Sequence, residues 1–194
     1  MTVRNPAFAT LALLFAVGCV EDVGKDKVAA EVAEPAAAVA PVTGRELAID
    51  TAKSSVRALG AKITAKHPIE FDRWTGALRV AEGKLTGVDV TIQMDSLRAD
   101  VDDLTSHLKN EDFFDVARFP TATFRSSGVV PKAGPDGATH EITGALTLHG
   151  VTKTVRFPAS VAAQGDGLAA KAEFVIDRQD FGVSYPGRPD DLIQ

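Results

Sequence analysis

The fold is decided by Glu141-Ile-Thr-Gly-Ala-Leu-Thr-Leu-His-Gly-Val-Thr-Lys-Thr-Val-Arg-Phe-Pro-Ala159. Ile142, Gly144, Leu146 and Leu148 alternate with Glu141, Thr143, Ala145 and Thr147, the period of a strand with one buried face. His149-Gly150 supplies a tight turn. Val155, Phe157 and Ala159 resume the alternation on the way back. Strands joined by so short a link are antiparallel neighbours.

The same period extends in both directions. Upstream, Val88, Val90, Ile92 and Met94 alternate with Asp89, Thr91 and Gln93. Downstream, Leu168, Ala170, Ala172, Phe174 and Ile176 alternate with Lys171, Glu173 and Asp177. Turn signals separate the runs at Glu82-Gly83-Lys84, Gly134-Pro-Asp-Gly137 and Gln164-Gly-Asp-Gly167. Seven strands are predicted, near 47–63, 74–81, 86–95, 121–130, 138–148, 151–163 and 167–177. His67-Pro68 is read as a loop. One helix is predicted over Asp102–Asn110, with Val101, Leu104 and Leu108 on one face and Asp100 or Asp102 as N-cap. The fold class is all-β, an antiparallel up-and-down barrel with one short helix, and such an interior has room for one small ligand.

The inward set is Val90, Ile92 and Met94, then Phe124, Leu146 and Leu148, Val155 and Phe157, and finally Phe174 and Ile176. Phe113 and Phe114 follow the helix. Adjacent aromatics in a strand-like or loop conformation point to opposite sides, so one is expected to cap the barrel and the other to pack on the helix. Core packing and lining a cavity stand at even odds for this pair, and Phe71, Trp74, Phe119 and Phe124 share the ambiguity.

Ten of the twelve aromatic residues are phenylalanine, which suits an apolar interior. The net charge is −5, and loss of residues 1–18, whose one charged side chain is Arg4, makes it −6. An acidic chain without a basic cluster excludes nucleic acid and electrostatic docking on anionic lipid. Catalytic signatures are also missing. No two of His67, His107, His140 and His149 have metal-ligand spacing, and there is no Gly-x-Ser-x-Gly. The acidic group Asp100, Asp102, Asp103, Glu111, Asp112 and Asp115 lacks the ligand alternation of a calcium loop and reads as a solvated, helix-capping face.

Residues 1–18 read as a signal peptide of lipoprotein type, because Arg4 precedes an apolar run from Phe8 to Val17 that is too short to span a bilayer. Cys19, the one cysteine, follows Ala16-Val17-Gly18 and resembles a lipobox cysteine, although Ala16 stands where leucine is usual. Lipidation at Cys19 is expected, with ordinary cleavage nearby as the alternative. Residues 19–44, rich in Ala, Val, Glu and Pro, are expected to form a flexible tether, with a brief helix allowed around 25–34. The barrel domain then spans 45–194.

Two stretches carry a family resemblance: His107-Leu-Lys-Asn-Glu-Asp-Phe-Phe-Asp-Val-Ala-Arg-Phe-Pro-Thr-Ala-Thr-Phe-Arg-Ser126 and Gly144-Ala-Leu-Thr-Leu-His-Gly-Val-Thr-Lys153. Together they resemble the YceI-like family of bacterial envelope proteins, over roughly Leu47 to Ile193. The resemblance implies a lipocalin-like barrel that holds a long isoprenoid lipid, a polyisoprenoid or an isoprenoid quinone, for sequestration or carriage without covalent chemistry. The inward set with Phe113 and Phe114 would line that interior. The alternative is a non-enzymatic envelope-stress or adhesion-type barrel with a filled interior; an enzyme acting on a quinone is a weaker third reading. Expected partners are the lipid, the membrane through the lipidated N-terminus, and a second copy as a homodimer. The expected location is the periplasmic side of the envelope, at the outer membrane in a Gram-negative source because Val20 follows Cys19. Arg178-Gln-Asp-Phe-Gly182 matches a family signature, with Arg178 and Asp180 read as an ion pair at the rim. A closing strand follows this segment in the family, so the last strand is expected to be missing from this chain.

Overall fold

The computed structural model describes residues 16–17, 27–35, 43–62, 65–165 and 167–185. Cys19, most of the expected leader and residues 186–194 lie outside them. The strands, in chain order, are β1 (Ala16–Val17), β2 (Glu31–Ala33), β3 (Arg45–Ala48), β4 (Arg57–Lys62), β5 (Ala65–Phe71), β6 (Trp74–Ala81), β7 (Lys84–Gln93) and β8 (Leu97–Ala99). Helix α1 (Asp102–Lys109) precedes β9 (Thr121–Pro131), β10 (His140–Leu148), β11 (Val151–Gln164) and β12 (Gly167–Ala172). One antiparallel ladder runs β12-β11-β10-β9-β7-β6-β3, and a second sheet is ordered β1-β4-β5-β8. The fold is thus the expected antiparallel, lipocalin-like barrel. Among the described residues no pairing joins β12 back to β3 or β4.

The two sheets share strands bent at a corner. β5 runs into β6 through Asp72-Arg73, and β7 runs into β8 through Met94–Ser96; β6 pairs β7 while β5 pairs β8. This is one long hairpin folded over on itself. Ser96 fixes the bend: its Oγ accepts the Arg73 N–H at 2.9 Å and donates to the Gln93 carbonyl at 2.7 Å. The ladder donors that the bend would orphan are thereby satisfied.

This bend corrects the expected strand plan. The predicted strand 47–63 is two strands, β3 and β4, separated by the turn after Asp50. The predicted loop at His67-Pro68 lies within β5, where Pro68 stands opposite Leu59. A proline is tolerated there because β8 reaches back only to Ile69, which leaves that side of β5 an edge.

Elsewhere the alternation reads true. All twelve residues of the predicted interior set, Phe113 and Phe114 included, are 8% exposed or less. The β10–β11 turn has φ +50° at His149 and +74° at Gly150, the positive pair that suits the twist of a two-residue hairpin. A Cβ on Gly150 would also fall 2.5 Å from the ring of Phe119, so this position needs glycine twice over.

Helix α1 departs from its expected capping. Val101 is the N-cap, extended and 47% exposed, and so does not share the inward face of Leu104 and Leu108. Neither Asp100 nor Asp102 caps it. Thr105 instead reaches back, accepting the Ala99 N–H at 2.9 Å and donating to the Val101 carbonyl at 3.0 Å. Asp115, read as solvated, is buried, and its carbonyl accepts the N–H groups of Arg118 and Phe119. Asp100 is paired with His67 at 2.9 Å.

Residues 27–35 also differ from the expected tether. β2 pairs Thr154–Arg156 on the outer edge of β11, beyond the reach of β12. The Ala30 and Val175 N–H groups bond the Val175 and Val28 carbonyls, and Lys27 pairs with Glu173. Ala30 and Val32 pack against the core. Composition missed this, because an unpaired edge recruits strand partners through backbone groups whatever the side chains.

Candidate functional site

The barrel interior has two unlike ends. At one, β7, β9 and β10 present Val88, Phe124 and Ile142, and aromatic rings close the space. Phe157 stacks on Phe174 with centroids 4.0 Å apart and meets Phe124 at 5.3 Å. Phe124 lies against Gly144, where a Cβ would approach its ring to 2.6 Å. Ser126, 1% exposed, accepts the Val88 N–H at 2.7 Å. This end is filled.

At the other end the same strands carry a second set of apolar side chains. Ile92, Met94, Ala122 and Leu148 form part of a wall completed by Ala58, Ile69 and Phe71 from the folded-over sheet and by Ile176. Leu108, Phe113 and Phe114 form the lid. The cavity measures about 550 Å³ to its walls, open space at its mouth included. Apart from Arg178, every lining residue is apolar.

The lid is a turn. The Phe113 N–H bonds the Asn110 carbonyl and the Phe114 N–H bonds the Leu108 carbonyl, each at 3.1 Å. Both rings therefore face the same cavity, in edge contact at 4.9 Å, where an extended chain would have sent them apart. Of the other expected lining residues, Ile92, Met94, Leu148 and Ile176 border the cavity. Val90, Phe124, Leu146, Val155, Phe157 and Phe174 are buried but do not border it.

Arg178 is the one charged side chain of the wall and is only 4% exposed. It forms no rim ion pair with Asp180. Its Nη1 donates to the Val183 carbonyl and its Nη2 to the Tyr185 carbonyl at 3.0 Å. The guanidinium lies 5.6 Å from the Phe113 ring centroid, within cation–π range. Its Nε is buried with no hydrogen-bond partner among the described residues. Burial pushes its pKa below the ordinary guanidinium value, opposed by the charge of Asp177. Behind Phe113, the half-buried His107 stands edge-on to the rings of Phe113 and Tyr185, at 6.4 and 4.7 Å, with its Nε2 also buried and unpartnered.

Sequence reasoning passed over Ala58, Ile69, Ala122 and Arg178 as lining residues. The first two sit on strands broken or lost at the corner. Arg178 had a signal: Ala172, Phe174, Ile176 and Arg178 are one buried period-two series that outlasts the β12 ladder.

Similarity to known proteins fits this architecture. The structure of BcnA from Burkholderia cenocepacia superposes with a TM-score of 0.66 at 27% identity, covering 74% of this chain and 90% of that one. A YceI protein of Campylobacter jejuni superposes at 0.53 with 24% identity, over 63% and 77%. By sequence, the protein YceI of Salmonella newport is 39% identical over 103 residues, 50% of this chain and 52% of that one. A UPF0312 protein of Pectobacterium atrosepticum is 36% identical over the same shares. The chain thus spans about half the length of the curated relatives it matches. The profile of the YceI-like domain covers residues 47–194, so the chain belongs to the YceI-like family.

Proposed function

We propose that this protein binds a long isoprenoid lipid, a polyisoprenoid or an isoprenoid quinone, in the hollow end of its barrel and sequesters or carries it without covalent chemistry. One observation carries the reading: an apolar cavity sits at one end of a barrel whose other end is closed by stacked phenylalanine rings. Each buried CH₂ contributes about 0.8 kcal/mol, so ten carbons suffice for firm binding without a strong polar contact. The free space here takes only the first part of such a tail. A longer stretch enters when Leu108, Phe113 and Phe114 move outward, which disturbs a turn and a short helix but no strand ladder.

Solvent extraction and mass spectrometry of the purified protein test this reading, and a stoichiometric isoprenoid is the expected result. The stacked phenylalanines favour a second reading, a structural envelope barrel with a filled interior, and recovery of no lipid would support it. The working location is the periplasmic side of the envelope, with acylated Cys19 as the anchor. A fatty-acid analogue should label the wild type and not Cys19→Ser.

A further inference from the structure

Residues 27–35 form a strap along the outside of the barrel, and its direction relates the N-terminus to the two ends of the interior. Lys27 pairs with Glu173, next to the Phe174 ring of the filled end. Glu31 pairs with Arg156 at 2.9 Å, beside Phe157 of the same stack. Glu34 then pairs with Lys153, two residues from Val151, which stands opposite the cavity-lining Leu148. The strap therefore enters at the filled end and leaves toward the hollow one. Its hold is specific yet releasable. Three charge pairs fix the register, but the ladder with β11 covers only Glu31–Ala33. Partly exposed ion pairs add little to so short a ladder, which puts the strap at the low end of local stability.

Resting on the acylated Cys19 of the reading above, we propose that the strap is an orienting clamp. Docked, it turns the lid of the cavity away from the membrane that holds the N-terminus; released, it lets the lid reach that membrane. From Cys19 to Lys27 the chain spans at most about 28 Å. From Ala159, opposite Ala172, to Val151, β11 rises about 27 Å. A lid one helix thick adds about 10 Å. A lid pressed end-on against the anchoring membrane would therefore draw the docked chain taut. With the strap released, the reach from Cys19 extends to Arg45 and grows to at most about 90 Å. The docked barrel thus exchanges its ligand with an acceptor or donor on the aqueous side, and the released barrel with its own membrane.

The test couples the chain from Cys19 onward, through that thiol, to a maleimide lipid in phosphatidylcholine vesicles. Energy transfer to dansyl-labelled phosphatidylethanolamine is read from Trp74, the one tryptophan, which stands opposite Ile92 in the hollow half. Wild type should show weak transfer. Glu31→Lys with Glu34→Lys sets like charges against Arg156 and Lys153, and should raise transfer severalfold. Moving the coupling site past the strap, with Cys19→Ser and Ala38→Cys, should raise it equally while every strap contact is kept. That variant decides the question if the charge reversal fails to fold. Equal transfer from wild type and the reversal, or weak transfer from the anchor at position 38, would overturn the clamp. Because the coupling supplies the anchor, such a failure leaves the acylation of Cys19 standing. Absence of fatty-acid label on Cys19 would instead remove the anchor itself, and this inference with it.

Discussion

The two ends of the barrel interior are written in the same code and built differently. β7 contributes Val88 and Val90 to the filled end and Ile92 to the hollow one, in a single alternating run. Above the filled end, Phe124 of β9, Phe157 of β11 and Phe174, just past the end of β12, meet ring on ring. Above the hollow end, among the described residues, a helix and a turn form the cover, so closure depends on Leu108, Phe113 and Phe114. Strand-on-strand packing leaves no room for a guest. A turn laid over a strand wall does.

The sharpest way to break this contrast is to remove one ring from each end. Phe157→Ala should cost about 3–5 kcal/mol, the transfer loss plus a cavity that rigid neighbours cannot collapse. Phe114→Ala should cost well under half of that, because the ring already borders free space. It should leave lipid retention intact or raised. Chemical denaturation of both variants checks the difference, and equal costs would show that the lid is as tightly packed as the aromatic stack.

Adding volume should reverse the outcomes. Ala122→Leu puts bulk into the hollow end, so stability should hold within about 1 kcal/mol while retained lipid falls. Gly144→Ala puts one methyl beside the Phe124 ring and 2.6 Å from the Arg125 carbonyl, and should cost about 1–3 kcal/mol with retention little changed. Unfolding midpoints and extracted lipid, measured together, test both. Undiminished retention in Ala122→Leu would place the ligand outside the mapped cavity.

Periodicity carried the sequence reading a long way. Which residues point inward was legible from β7, β9, β10, β11 and β12, because a pleat with one wet face must alternate. How the inward residues divide between packing and lining was not, since Phe124 and Ile92 sit identically in the pattern. That division depends on which rings meet across the barrel, a long-range outcome. The corner at Asp72-Arg73 also escaped, because Ser96 anchors it from a part of the chain 23 residues away in sequence. Nothing in the sequence distinguishes the turn at Phe113-Phe114 from a strand-like or loop stretch, and its fold-back onto the Leu108 carbonyl brings both rings to one side.

The smallest expected effect lies on the outside of the filled end, where β2 sets Val32 opposite Val155. Glu173 ties the strap to the barrel through Lys27 and also bonds Lys171 at 3.0 Å. These hydrogen bonds, that to Lys27 first, hold its carboxyl below the usual glutamate range. A depressed folded pKa gives stability that is present above the unfolded value, near 4.3, and lost as pH falls through the folded one. Glu173→Gln should therefore destabilise by roughly 0–1 kcal/mol at pH 7, the scale of an exposed pair in water. The difference from wild type should vanish once the pH is taken below the folded pKa. Because the strap lies beside the filled end, lipid retention should not change. Paired denaturation curves at pH 7 and under acid check the pH dependence. A variant that lost lipid as well would show that the strap and the cavity are coupled through the packed core, and that the two ends are less independent than their geometry suggests.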